Sequence, residues 1–149
     1  MNLKQKLYRS CEAFIENRFQ TIQKSIEELQ NALQSETKSS AGDKHETGRA
    51  MLQLEREKAG QQLAEINKTK MVLSKVSLDK KSTIVTLGSL VYTNQLNYFI
   101  SISAGNLVVD HESFYAISAN TPIGKLLIGK TAGDSINFNR NSIEIKKIE

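Results

Sequence analysis

Asp43 and Glu46 stand three residues apart in the stretch SSAGDKHETGRAM, residues 39 to 51. A chain reversal there needs Gly42, whose missing side chain frees the backbone, but it does not need two carboxylates. Two chemistries suit acids at this spacing. In one, Asp43 is an N-cap acceptor and Glu46 reaches back to a free amide. Such a capping box stabilises a helix start by ~1 kcal/mol and suits the positive end of the helix dipole. In the other, the carboxylates are hard oxygen ligands for magnesium, which keeps several waters and often takes only one or two protein carboxylates. A tip carrying this pair would complete a metal site held mainly by another macromolecule, where the ion polarises a phosphate. His45 lies between the two acids, and a lone histidine in an exposed turn reads as a solvated side chain. His111 lies in the other half of the chain, with no ligand pattern around either histidine.

The elements that must carry the acids are two helical arms. Tyr8, Cys11, Ile15, Phe19, Ile22, Ile26, Leu29 and Leu33 step by three or four residues, which places them on one narrow stripe. From Thr47 a second stripe begins, with Leu52, Ala59, Leu63, Ile66 and Leu73, interrupted by Arg56 and Lys70. A single apolar stripe needs a partner, and the nearest is the other arm folded back antiparallel. Arms of about 30 residues are about 45 Å long. The sequence therefore predicts a thin coiled-coil hairpin over residues 1–79, with residues 36–46 at its far end. Acids at such a tip can enter a channel that a globular protein cannot.

After residue 80 the period changes to two. Strands are expected over 83–87, 98–102, 106–109 and 113–117, with a C-terminal hairpin around Ile136, Phe138 and residues 142–146. Residues 122–129 read as a short amphipathic helix with proline in its first turn and glycine at its end. The fold class expected is α+β: the hairpin, then a small α+β domain over residues 80–149.

Bulk properties exclude several functions. The formal charge is +4, with 13 Lys/Arg against 11 Asp/Glu in residues 1–79 and 7 against 5 in residues 80–149. The excess is spread, with no basic block of the kind that marks a nucleic-acid arm. No apolar run approaches the ~20 residues of a membrane span. The N-terminal residues MNLKQKLYRSCEAF have no signal-peptide core, so a cytoplasmic location is expected. The one cysteine, Cys11, falls on the helical stripe and reads as a packed thiol. There is no phosphate loop, no cysteine–histidine metal set and no nucleophile–base pair, so any chemistry is lent to a partner.

Gly42, Asp43 and Glu46 between coiled-coil arms resemble the tip of the bacterial transcript-cleavage factors GreA and GreB, which reads Gly-Asp-x-x-Glu-Asn. Residues 117–134, ISANTPIGKLLIGKTAGD, resemble the same family's C-terminal signature: a strand, Asn/Asp-Ser-Pro, a short helix, Leu-(Leu/Ile)-Gly-Lys and Gly-Asp. Residues 143–148 resemble its closing strand, and the order of parts agrees along the chain. The resemblance implies a C-terminal domain with the fold of the FKBP prolyl isomerases, docked on RNA polymerase through Asn120, Thr121 and Pro122. It implies a coiled coil threading the secondary channel, with Asp43 and Glu46 helping to hold the catalytic magnesium with which the polymerase hydrolyses its own backtracked transcript. The chain would then be an accessory factor rather than an enzyme, monomeric, with no cofactor of its own and only indirect contact with nascent RNA. Thr121 and Pro122 equally read as a helix start, N-cap and first-turn proline.

The chain departs from the family at Thr47, where Asn is usual, at Ala50, where Tyr is usual, and at Gly48 and Arg49, commonly Ala-Glu. A changed tip leaves open a channel regulator that does not stimulate cleavage. A third reading, a prolyl isomerase or chaperone on the C-terminal fold, would need an aromatic-lined pocket. The aromatics after residue 80 are Tyr92, Tyr98, Phe99, Phe114, Tyr115 and Phe138, most of them on strands.

Overall fold

The computed structural model describes the backbone of residues 1–38 and 43–149, and the side chains of residues 1–36 and 46–149. Helix α1 spans Leu3–Lys38 and α2 Asp43–Ser74. Strands β1 (Leu90–Thr93), β2 (Asn97–Ser101), β3 (Gly105–Val109) and β4 (Glu112–Ser118) follow, then helix α3 (Pro122–Leu127) and strands β5 (Ser135–Phe138) and β6 (Asn141–Ile148). The protein is thus α+β, a long helical hairpin followed by a small mixed sheet. No helix among the described residues is long and apolar enough to cross a membrane.

The chain divides into two compact units, Ile15–Lys70 and Met1–Phe14 with Met71–Glu149. The first unit is the hairpin. Ile15, Ile22 and Ile26 of α1 are buried with Ala59 and Ile66 of α2, and Phe19, Leu29, Leu33, Leu52 and Leu63 are half-buried around them. Each fully buried aliphatic side chain of this kind contributes about 1.5–3 kcal/mol. The arms run antiparallel. Lys70 reaches Glu16 at 3.5 Å and lies 3.5 Å from the centre of the Phe19 ring, while Gly48 faces the Glu36 side chain. Lys70 interrupts the stripe in sequence and caps it in structure: its stem covers Phe19 and its ammonium meets a carboxylate. On α1 the fully buried stripe begins at Leu7, with Tyr8 only half-buried, a shift of one position from the periodicity.

In the second unit the strand order is β3-β4-β2-β1-β6-β5, with β2 and β4 parallel and the other pairs antiparallel. Alternation along β2 sends Tyr98 and Ile100 to one face and Phe99 and Ser101 to the other. The first face holds Val85, Val91, Ile136, Ile143 and Ile145 together with Ile123 and Leu127 of α3. On the second, Ser101 Oγ lies 3.6 Å from Cys11 Sγ in the first turns of α1. Both sheet faces are therefore covered, which is why β2 is buried at four consecutive positions instead of alternating. Two-residue turns with positive φ close the hairpins: Asp110 and His111 (52° and 68°) between β3 and β4, Asn139 and Arg140 (51° and 65°) between β5 and β6.

One expected strand is absent and an unexpected one takes its place. Residues 83–87 form only an isolated bridge, Ile84 to Thr131, with Val85 buried and Ile84 47% exposed. The chain turns at Gly88 (φ +94°), and the strand that enters the sheet is β1, two residues later. Its first two residues, Leu90 and Val91, are both buried, so it lacks the alternation that marks a half-buried strand.

Candidate functional site

The acid pair sits at the start of α2. Helix α1 ends at Lys38 and α2 begins at Asp43, and residues 39–42 between them lie outside those described. Asp43 and Glu46 share the first turn of α2, and a spacing of three puts them on one helix face. Glu46 is exposed. The side chains of Asp43 and His45, and with them the capping-box hydrogen bonds, lie outside the described residues. Along the helix, 24 residues from Ile15 to Lys38 rise about 36 Å. Within the hairpin the acids are therefore at the opposite end from Ile15 and Lys70.

Whether such a pair fits magnesium is a matter of donor chemistry. Both groups are carboxylates, the hard donors that magnesium prefers, and two are as many as it commonly takes from protein. Among the described residues no group of three or more His, Cys, Asp or Glu could hold a metal ion. The pair fits a shared site and not a closed cage.

The second cluster is the start of α3. Thr121 is its N-cap: Oγ1 accepts from the Gly124 amide at 3.1 Å and donates to the Ser118 carbonyl at 2.7 Å. Pro122 opens the helix, where a missing N–H costs nothing. A Cβ on Gly124 would lie 2.3 Å from the Ser118 carbonyl oxygen and 2.9 Å from Thr121 Oγ1, so only glycine allows the helix to sit this close to the end of β4. Further along the signature, Gly133 takes a positive φ (+94°), and Asp134 accepts from the Thr131 amide at 2.8 Å and its hydroxyl at 3.2 Å. Thr121, Pro122, Gly124, Gly133 and Asp134 are thus explained by folding. Asn120 is not: it is exposed and donates only its backbone amide, to Ser118 Oγ at 3.2 Å. Asn120 and Pro122 are both exposed at this corner.

Four of the six rings after residue 80 are packed within the sheet unit, and Tyr115 and Phe138 lie partly buried against its core. Phe99 and Phe114 are fully buried, Tyr98 is buried in the core, and Tyr92 packs edge-on against Phe114 with centroids 5.7 Å apart. Burial, then the carboxylates of Glu149 and Glu112, push the Tyr92 phenol up to about 12. Cys11 is a packed thiol, its pKa raised by burial against the smaller opposing pull of the Ser101 hydrogen bond, the reverse of a reactive cysteine.

Sequence reasoning missed a groove of about 610 Å³ in the sheet unit, lined by Leu3, Leu78, Leu90 and Ile148 with Lys4, Lys81 and Glu149. Its residues come from both ends of the chain and from the segment after α2, and no periodicity links such positions.

No family model matches the chain, and no curated protein matches it. Among solved structures it is similar to the GreA factor homolog 1 (Gfh1) protein of Thermus thermophilus, with 18% identity over 91% of this chain and 92% of that one, at a TM-score of 0.37. It is also similar to a structure of the transcription factor Gfh1, with 21% identity over 87% and 90% of the two chains, at a TM-score of 0.32. At those TM-scores the likeness carries no argument.

Proposed function

We propose that the chain is a Gre-like accessory factor of RNA polymerase, whose hairpin enters the secondary channel and stimulates cleavage of backtracked transcripts. What supports this reading is the presence of Asp43 and Glu46 on one face in the first turn after a helical reversal, with Glu46 exposed. The resemblance of residues 117–134 to the Gre C-terminal signature stands beside it. In this role the chain binds and positions, and the polymerase is the enzyme. Asp43 and Glu46 are the residues that would share a magnesium ion with the polymerase, and the ion, when bound, supplies Lewis-acid polarisation of a phosphate. Asn120 and Pro122 meet the polymerase surface, and Thr121 holds their loop in shape through its two hydrogen bonds. The C-terminal unit has the FKBP-like fold in this reading, and the factor acts as a monomer in the cytoplasm.

The test is cleavage of stalled elongation complexes from the matching polymerase, with Asp43→Ala and Glu46→Ala alongside the unaltered chain. Undiminished stimulation by both variants removes the assigned roles. The departures at Thr47, Gly48 and Ala50 favour a second reading, a channel regulator that does not promote cleavage. Under that reading the unaltered protein binds polymerase and fails to shorten a backtracked RNA.

A further inference from the structure

We propose that the groove bounded by the start of α1, residues 78–83 and the ends of β1 and β6 binds a small amphipathic anion of the medium-chain carboxylate class. Its apolar chain would lie on the half-buried Leu3, Leu78 and Ile148, and its head group would sit between Lys4 and Lys81.

The volume, about 610 Å³, is that of a small-molecule site. The floor is aliphatic and no aromatic ring lines the groove, so a nucleobase has nothing to stack on. The charge at the rim is what selects an anion. Lys4 is half-buried, and neither it nor Lys81 has an ion-pair partner among the described residues, whereas Lys6, Lys146 and Lys147 of the same unit are paired with carboxylates. Glu149, the one acid of the rim, is already engaged: Lys147 lies 2.6 Å away and the Tyr92 hydroxyl donates to it at 3.3 Å. Desolvation lowers the Lys4 pKa, Glu149 opposes it, and Lys81 adds a smaller lowering effect. An anion between the two lysines offsets the repulsion between their ammonium groups and favours the charged form of Lys4. The helix N-terminus beside them is not the attraction, because Asn2 and Gln5 already exchange side-chain-to-amide hydrogen bonds of 2.8 and 3.0 Å there.

This site is independent of the polymerase reading, and its test needs only the purified chain. Calorimetric titration with decanoate, below the concentration at which it forms micelles, is compared with decanol and with inorganic phosphate. The expected result is saturable binding of one decanoate per chain. Binding weakens about tenfold or more for decanol and for the Lys4→Gln/Lys81→Gln variant, because a charge-assisted contact is lost. Phosphate alone gives no measurable heat. Amide shifts on decanoate binding should centre on Leu78, Leu90 and Ile148. Equal affinity for decanoate and decanol, unchanged affinity in the double variant, phosphate binding as tight as decanoate, or shifts centred on the exposed Met51 and Leu54 would each overturn the proposal.

Discussion

Two glycines inside helices, Gly124 in α3 and Gly48 in α2, mark the difference between the two units of this molecule. At Gly124 the space for a Cβ is already occupied by the Ser118 carbonyl, 2.3 Å away. At Gly48 the nearest atoms belong to the Glu36 carboxylate at 3.6 Å, an ordinary contact with the end of a flexible side chain. The sheet unit leaves its residues little choice, because helix, loop and strand meet at backbone distance. The hairpin imposes only a stripe and leaves the rest of each helix to water. Residue types that folding does not demand are therefore easier to recognise in the hairpin. In the sheet unit Thr121, Pro122, Gly124, Gly133 and Asp134 of the signature have structural reasons, and Asn120 is exposed with only a backbone hydrogen bond.

The same substitution at the two glycines tests this contrast. Gly124→Ala forces a backbone clash and should destabilise the sheet unit by about 2 kcal/mol or more, read as a fall in the urea midpoint. A variant as stable as the parent would mean that α3 can move away from β4 at no cost. Gly48→Ala should act in the opposite direction, stabilising the start of α2 by up to ~1 kcal/mol through helix propensity alone. Slower amide exchange over residues 46–52 would show it, and faster exchange would mean that Gly48 is held by something other than the Glu36 contact.

A smaller effect separates the units by pH. The folded-state pKa of Tyr92 is raised to about 12 from the ordinary phenol value of 10.0, so folding holds its proton more tightly. The stability it contributes is complete below pH 10 and is lost as pH rises from there towards 12. The difference in stability between the parent and Tyr92→Phe should be flat from pH 7 to 9 and change between pH 10 and 12. A flat difference over the whole range would remove the burial and the neighbouring carboxylates as the cause.

What could be read in the sequence follows the same division. The hairpin was legible because a stripe at steps of three and four has one interpretation once it exceeds the length of an isolated stable helix. Even there, Leu7 rather than Tyr8 begins the fully buried stripe, since both residues satisfy the spacing to Cys11 or Ile15. Most of the sheet was legible as strands, and both positive-φ turns fall between runs that alternate. Strand β1 was not, because cover on both faces removes its alternation, while residues 83–87 alternate in a loop that pairs only once. The order β3-β4-β2-β1-β6-β5, with its parallel β2–β4 pair, depends on contacts that no local pattern encodes. At the candidate site the Thr121–Pro122 helix start was legible from spacing. The demand for glycine at Gly124 was not, since it arises from the approach of the Ser118 carbonyl, and the Lys4–Lys81 groove is assembled from segments far apart in the chain.

Transcript cleavage in stalled polymerase complexes tests the proposal that the hairpin carries Asp43 and Glu46 to a partner's reaction centre. The unaltered chain should shorten a backtracked RNA, and Asp43→Asn/Glu46→Gln should lower the rate about tenfold to a hundredfold while binding to polymerase is retained. Full stimulation by the neutral pair would contradict it, because the hairpin would then be acting without its carboxylates.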